Sequence, residues 1–128
     1  MHASNLNAEF HGVLLESIDE TMHMLLGDRP YQVLFERLSN DFHLKRELIP
    51  DRLDDFERAL TRLCGTVVAR VLTRAIVRGL HTRLEIPYHD RNDYTLKMYV
   101  QDCRRRFEQH IVDSGEQPPS VSIVSVDS

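Results

Sequence analysis

The chain has 128 residues, a length typical of one domain, and its 41% hydrophobic and 28% charged residues are close to the globular average. With 16 Lys and Arg against 20 Asp and Glu the net charge is −4, which argues against a generally basic nucleic-acid binder. Two cysteines cannot form a disulfide framework, no apolar run approaches a membrane helix, and residues 1–5 do not resemble a signal peptide. We therefore expect a cytoplasmic protein with no membrane contact.

Apolar residues spaced three or four apart predict three helices before Gly65. The first helix ends at Gly27, and its apolar face is formed by Phe10, Leu14, Ile18, Met22 and Leu25. The second helix begins at Asp28 and presents Tyr31, Leu34, Leu38 and Phe42. After a short irregular link over 43–50, the third helix presents Leu53, Phe56, Leu60, Leu63 and Cys64.

The fourth predicted helix, about residues 67–84, is the most apolar and is expected at the centre of the core. Its predicted apolar stripe consists of Val68, Val71, Leu72, Ala75, Ile76 and Leu80. Gly79 lies beside that stripe, although glycine inside a helix costs about 1 kcal/mol relative to alanine. We expect a close helix crossing at Gly79, because close packing would offset this cost.

A fifth helix is predicted over 92–112, beginning near Asn92 and Asp93, and a flexible tail is predicted over 114–128. The helix carries Leu96, Tyr99 or Val100, Cys103, Phe107 and Ile111 at helical spacing. A small four-helix core may lack room for this stripe, so we expect a homodimer through residues 92–112 or through the first helix. In the tail, Ser alternates with Val or Ile over 120–126, which is typical of a frayed terminus or of a strand added to a partner's sheet. The expected fold is an all-α, compact five-helix bundle forming one domain over 1–113.

The order of core and turn residues over 14–82 resembles a known family. The matching features are Leu26-Gly27, Leu38, Phe42, Leu44, Ile49-Pro50, Phe56, Ala59-Leu60, Gly65, Ile76 and Leu80. They resemble a small helical domain of archaeal signalling proteins, classed as a Nitrosopumilus-type output domain. The resemblance implies an output or adaptor role beside sensory modules and carries over no catalytic residues. Cys64 stands where that family usually has an aromatic residue, and the helix over 92–112 lies beyond the family-like core.

The most distinctive electrostatic feature is a run from Arg58 to Leu84 that contains six Arg and no Asp or Glu. Arg70, Arg74 and Arg78 recur every four residues and share a helix face, with His81 nearby. Guanidinium groups in a row suit phosphates or a carboxylate-rich partner. The alternative is pairing within the chain or between copies, because residues 1–64 have a net charge of −5 and residues 65–128 a net charge of +1.

The sequence contains features that bear on two functions other than protein docking. Nucleic-acid binding is disfavoured because the link over 43–50 is too long for a helix-turn-helix and the third helix begins with acidic residues. A metal site on the first helix could use Glu16, Asp19, Glu20 and His23, but a carboxylate-bridged bundle needs a second Glu-x-x-His pair, which is absent from the sequence. The seven His lack zinc-site spacing, and Cys64 and Cys103 occupy apolar helical positions typical of buried thiols.

We therefore expect a non-enzymatic interaction module in signalling or regulation, with no metal and no cofactor. Its partner would be a protein with an acidic surface, or a second copy of the chain. The predicted partner-binding residues are Arg70, Arg74, Arg78 and His81. A nucleic-acid-binding regulator is the first alternative, and a metal-binding helical bundle is the second.

Overall fold

A computed structural model describes the backbone of residues 2–113 and the side chains of residues 7–109. Five α-helices and one 3₁₀ helix follow one another along the chain: α1 His2–Leu26, α2 Asp28–Phe42, the 3₁₀ helix Arg46–Asp51, α3 Leu53–Cys64, α4 Thr66–Leu84 and α5 Leu96–Asp113. Residues 2–113 contain no strand, so the predicted all-α fold is confirmed. None of their helices has both the length and the apolar composition required to span a bilayer. The predicted flexible tail over 114–128 lies outside the described residues.

Glycine ends two of the helices, as the sequence predicts. Gly27 has φ 87° and Gly65 has φ 91°, a backbone conformation that is costly for residues with a Cβ. Each glycine N–H still donates to the preceding turn, Gly27 to the His23 carbonyl and Gly65 to the Thr61 carbonyl, both at 2.9 Å. The two joints therefore redirect the chain without leaving these donors unpaired.

Two segments differ from the predicted boundaries. The link over 43–50, predicted to be irregular, contains the 3₁₀ helix, which directs Ile49 into the core. Helix α5 begins at Leu96 rather than near Asn92, because the Thr95 hydroxyl oxygen accepts the backbone N–H of Met98 at 3.2 Å and caps the first turn.

Helix α4 lies at the centre and packs against α1, α3 and α5. The apolar residues of α5 are buried within the same chain: Leu96, Tyr99, Val100 and Cys103 are all in the core. Farther along α5, the Phe107 ring lies 5.9 Å from the Phe10 ring of α1. The core of one chain thus accommodates this stripe as far as Phe107, whereas Ile111 lies outside the residues whose side chains are described. The homodimer stays a prediction.

The buried face of α4 is rotated relative to the predicted stripe. Leu72, Ile76 and Leu80 are buried as predicted, but Val68 and Val71 are exposed. The core instead receives Ala69, Thr73, Val77 and His81. Burial of the two polar side chains is tolerated because each contacts a carbonyl of the helix itself, Thr73 that of Arg70 at 3.2 Å and His81 that of Val77 at 2.8 Å.

The predicted close crossing at Gly79 is present between α1 and α4. A Cβ added to Gly79 would lie 2.9 Å from Ser17 Oγ, closer than real Cβ contacts. Ser17 is fully buried and donates to the Ile76 carbonyl at 2.9 Å, so its hydroxyl cannot move away without losing that bond. Gly79 and Ser17 therefore fix how closely the two longest helices approach.

Candidate functional site

The outward side of α4 and the end of α1 expose several large apolar side chains. Val67 and Val71, one turn apart on α4, are 76% and 55% exposed, and Val68 lies beside them. On α1, Met24 is 78% exposed and Leu25 is about half exposed. These five residues are called the outer patch below. Single exposed apolar residues are common, but a group on two packed helices is typical of an interaction surface.

A groove of about 280 Å³ lies between α1 and α4, beside the α1 part of the outer patch. Met24 and Leu25 line it from α1, and Ala75 and Arg78 line it from α4. Ala75 lies one helical turn beyond Val71, so the apolar surface continues from the start of α4 into the groove. A partner helix could therefore insert apolar side chains while its flank faces Arg78.

The six arginines of the acid-free run fall into two groups. Three form ion pairs inside the chain: Arg58 with Asp55, Arg74 with Asp90, and Arg83 with Glu20. The other three, Arg62, Arg70 and Arg78, form no ion pair with any side chain described between residues 7 and 109. Internal pairing thus accounts for half of the run, and two unpaired arginines border the outer patch.

Arg74 secures the loop over 85–95, although the sequence places it in the middle of the predicted docking row. Its guanidinium group pairs with Asp90, donates to the Arg91 carbonyl at 3.2 Å and lies 5.1 Å from the centre of the Tyr99 ring. Only 15% of its side chain is exposed. The Tyr99 hydroxyl also donates to the Arg91 carbonyl at 2.8 Å, so one carbonyl ties the loop to both α4 and α5. Arg74 is therefore mainly a structural residue.

His81 is 4% exposed and faces α5, so it is not on the surface formed by Arg70 and Arg78. Its Nδ1 lies 2.8 Å from the Val77 carbonyl, and because a carbonyl only accepts, Nδ1 is the donor in this hydrogen bond. Its Nε2 lies 3.5 Å from the Cys103 sulfur. The Tyr88 ring meets the imidazole edge-on, with ring centres 5.2 Å apart. Burial thus removes His81 from the residues that a docking partner could contact.

The structure places a histidine next to a cysteine, an arrangement that the sequence did not reveal. Burial, with a smaller contribution from the Asp102 carboxylate, raises the pKa of the Cys103 thiol to about 12. Burial also raises the pKa of Cys64. A nucleophilic cysteine needs a low pKa and an accessible sulfur, and Cys103 has neither property. The pair therefore acts as part of the core.

Two acidic residues of α1, Asp19 and Glu20, have protein partners. Asp19 accepts from Arg46 Nε at 2.6 Å and from the Tyr31 hydroxyl at 2.7 Å. Burial tends to raise the pKa of Asp19, but these two hydrogen bonds outweigh burial and lower it. Burial and Asp19 together raise the pKa of Tyr31 to about 12.

The other three residues of the possible metal site on α1, Glu16, Glu20 and His23, do not form a cluster with Asp19. Glu20 pairs with Arg83, and the ring of His23 stacks on Tyr31 with 3.8 Å between ring centres. Glu16 is exposed on the same helix. Among the described residues, no three His, Cys, Asp or Glu side chains come together in a way that could hold a metal ion.

The sequence-predicted site is therefore only partly brought together. Arg70 and Arg78 are both exposed on α4, but Arg78 lines the groove beside α1 whereas Arg70 lines a cleft toward α3. Arg74 is bound to the loop, and His81 is in the core. The outer patch was not predicted. If Thr73 and His81 are placed in the core, helical spacing turns the adjacent valines after Gly65 toward solvent, so the sequence did contain a signal for the patch. No protein-family model, curated protein or solved structure matches this chain.

Proposed function

We propose that this protein is a non-enzymatic interaction module that docks an acidic, amphipathic helix of a partner protein on the outward side of α4. The observation that supports the proposal is the combination of exposed apolar side chains at Val67 and Val71 with two arginines, Arg70 and Arg78, that form no ion pair with the side chains described over 7–109. Apolar anchors at helical spacing with charges along one edge are typical of helix-in-groove recognition.

Charge complementarity defines the chemistry of the partner. Helix α4 contains five basic residues, counting His81, and no Asp or Glu, so an approaching acidic helix meets no repulsion from α4 itself. Arg83 and Arg74 are already neutralised by Glu20 and Asp90. An acidic partner would therefore gain most from Arg70 and Arg78, whose guanidinium groups can each donate two hydrogen bonds to a carboxylate.

The apolar contacts would supply most of the affinity, and the charges would supply orientation. Removing a few hundred Å² of apolar surface from water, at about 25 cal/mol per Å², yields several kcal/mol before the costs of association. A partner helix with apolar residues at i, i+4 and i+7 would fill the groove beside Ala75. Its acidic edge would face Arg78, which lines the α4 side of the groove opposite Met24 and Leu25, and would extend toward Arg70, two turns earlier on α4.

The biological setting that we propose is signalling or regulation. The resemblance of residues 14–82 to an output domain implies an adaptor role beside sensory modules, and a docking surface without catalytic groups suits such a role. A second copy of the chain is a weaker occupant of this face. An α4-to-α4 dimer would bring the unpaired arginines of two copies together without any acidic residue from either α4.

The test is fluorescence anisotropy with a labelled synthetic helix that carries Leu at i, i+4 and i+7 and Glu along one edge. We expect a dissociation constant of about 1–50 μM for the wild-type chain, a range typical of transient docking. Combining Arg70→Glu with Arg78→Glu should weaken binding by about tenfold or more, because each reversal replaces an attraction with a repulsion.

The matched control combines Lys45→Glu with Arg62→Glu. Both residues are exposed outside the outer patch, and the net charge changes by the same amount, so binding should stay within about twofold. A peptide with Lys in place of Glu should not bind. The proposal is overturned if the acidic helix binds no better than a scrambled peptide, or if duplex DNA or anionic vesicles bind more tightly than the helix.

A further inference from the structure

The groove between α1 and α4 is open because the residues between its two sides do not fill it. Ala75 and Gly79 line it from α4, and Thr21 of α1 is itself buried against Gly79. At about 280 Å³ the groove is just below the range of about 300–1,000 Å³ that is typical of small-molecule pockets. A space of this size suits one large side chain of a docked helix.

The α1 side of the groove is apolar and adaptable. Met24 and Leu25 line it, and both side chains are exposed. A methionine side chain is flexible, and its thioether packs favourably against the edge of an aromatic ring. An aromatic side chain in the groove therefore gains a contact with Met24 that an aliphatic side chain does not.

An ion pair between α1 and α4 borders the groove and leaves a hydrogen-bond acceptor open. Arg83 pairs with Glu20 through Oε1 and also donates to the Gly79 carbonyl at 3.4 Å. Both charged residues line the groove. No donor among the described residues bonds the second carboxylate oxygen of Glu20, and a carboxylate accepts several hydrogen bonds. A donor inside the groove can therefore bond Glu20.

We propose that the groove takes a tryptophan side chain of the docked helix, with the indole ring between Met24 and Ala75 and its N–H donating to the Glu20 carboxylate. This inference rests on the proposed docking function, since the tryptophan takes the place of one leucine of the acidic helix. Indole joins a large apolar ring to a single donor, and a buried indole N–H needs an acceptor.

Arg78 can serve both the indole and the acidic edge of the helix. It lines the groove from α4, and tryptophan is the best aromatic partner for a guanidinium group. Arg78 already lies 5.9 Å from the centre of the Tyr88 ring. The N–H donors of a guanidinium group lie in its plane, so a group stacked on rings still has donors for a carboxylate.

The first test compares helices that differ at one position. In the acidic helix with Leu at i, i+4 and i+7, Trp replaces Leu at i in one peptide and at i+7 in another, because the helix can dock in either direction. The tighter of these two should bind the wild-type chain about tenfold more tightly than the all-leucine helix. The chain contains no tryptophan, so the indole emission comes from the helix alone and should shift to shorter wavelength as the ring leaves water.

The second test fills the groove from within the chain. Ala75→Leu should abolish the preference for tryptophan, because the added side chain occupies the space of the ring. Gln32→Leu is the matched control, since it adds the same side chain at an exposed position of α2, and it should keep the preference. Circular dichroism checks the fold of both variants.

The hydrogen bond is tested by a double-mutant cycle. Methylation of the indole nitrogen removes the donor and should weaken binding to the wild type by about fivefold. The same methylation should change binding to Glu20→Ala by less than about twofold, because the acceptor is absent. The loss of the ion pair with Arg83 affects both helices equally, so it cancels in the cycle. This cycle does not depend on how Ala75→Leu folds.

Affinities of the tryptophan and leucine helices within about twofold of each other would overturn the inference and leave the proposed function standing, since an acidic helix still docks. A preference for tryptophan that persists in folded Ala75→Leu would also overturn it, because the ring would then bind elsewhere. Equal effects of methylation on the wild type and Glu20→Ala would overturn the role of Glu20. If neither helix binds the folded wild-type chain, the proposed function and the inference are both wrong.

Discussion

The inner side of α4 buries polar side chains, whereas its outer side exposes apolar ones. On the inner side, three buried polar groups have carbonyl partners: Thr73 and His81 contact carbonyls of their own helix, and Ser17 of α1 donates to the Ile76 carbonyl. On the outer side, Val67 and Val71 remain in water beside Arg70 and Arg78, which lack an ion pair within the described chain. The same helix thus gives buried polar groups carbonyl partners on one side and exposes valines and arginines to solvent on the other, with Arg78 lying 5.9 Å from the centre of the Tyr88 ring.

This difference indicates which residues maintain the fold and which are free to bind. Side chains chosen for stability alone would reverse the arrangement, with valines inside and histidine and threonine outside. Stability and docking should therefore separate cleanly by side: inner substitutions should lower the free energy of unfolding, and outer substitutions should leave it nearly unchanged.

The largest expected effect comes from truncating one apolar residue on each side of α4. Ile76→Ala should lower the free energy of unfolding by about 3 kcal/mol, because Ile76 is fully buried and the change leaves a cavity. Val71→Ala should change it by less than about 0.5 kcal/mol, because lost contacts are small and alanine is a better helix former. Urea titration followed by circular dichroism measures both values. Equal losses would mean that the outer patch is covered and belongs to the core.

A smaller effect is expected at the helix crossing. Gly79→Ala should lower the free energy of unfolding by about 2 kcal/mol, because its Cβ forces Ser17 away and breaks the bond to Ile76. Gly12 provides the matched control, since a Cβ there meets nothing within 4 Å. Gly12→Ala should raise the free energy of unfolding by up to about 1 kcal/mol. Stabilisation by both changes would show that α1 and α4 are less tightly packed than described.

The smallest expected effect compares two arginines from the same row. Arg74→Gln should lower the free energy of unfolding by about 1 kcal/mol and speed hydrogen exchange over 85–95, because it releases Asp90 and the Arg91 carbonyl. Arg70→Gln should change the free energy of unfolding by less than about 0.3 kcal/mol and leave exchange in this loop unchanged. If Arg70→Gln also loosens the loop, the division between structural and docking arginines is wrong.

Local sequence rules predicted most of the fold. The breaks at Gly27 and Gly65, the apolar faces of α2 and α3, the buried residues of α5 and the close crossing at Gly79 all follow from helical spacing and glycine chemistry. The start of α5 was misplaced because several adjacent residues could cap it. The rotation of α4 was missed because hydropathy favours valine over threonine and histidine at buried positions. Carbonyl groups of α4 itself, those of Arg70 and Val77, provide the hydrogen-bond partners that allow Thr73 and His81 to be buried in the core.

The candidate site was harder to predict because ion pairing depends on residues distant in sequence. Arg83 forms an ion pair with Glu20 of α1, 63 positions away in the sequence, and Arg74 forms an ion pair with Asp90 in the loop over 85–95. Spacing along α4 makes Arg70, Arg74 and Arg78 equivalent, and only the packed neighbours distinguish them. A helical row of like charges therefore identifies a candidate surface, but the tertiary structure decides which members are available.

The buried thiol of Cys103 can report how often α5 separates from α4. Its sulfur lies between α4 and α5 with no exposed surface, whereas Cys64 is only half-buried at the end of α3. A thiol reagent can modify Cys103 only when α5 separates from α4, so the labelling rate of this one atom counts those separations. The rate of Cys103 modification in the native chain therefore measures the rate of α5 detachment, and no engineered probe is required.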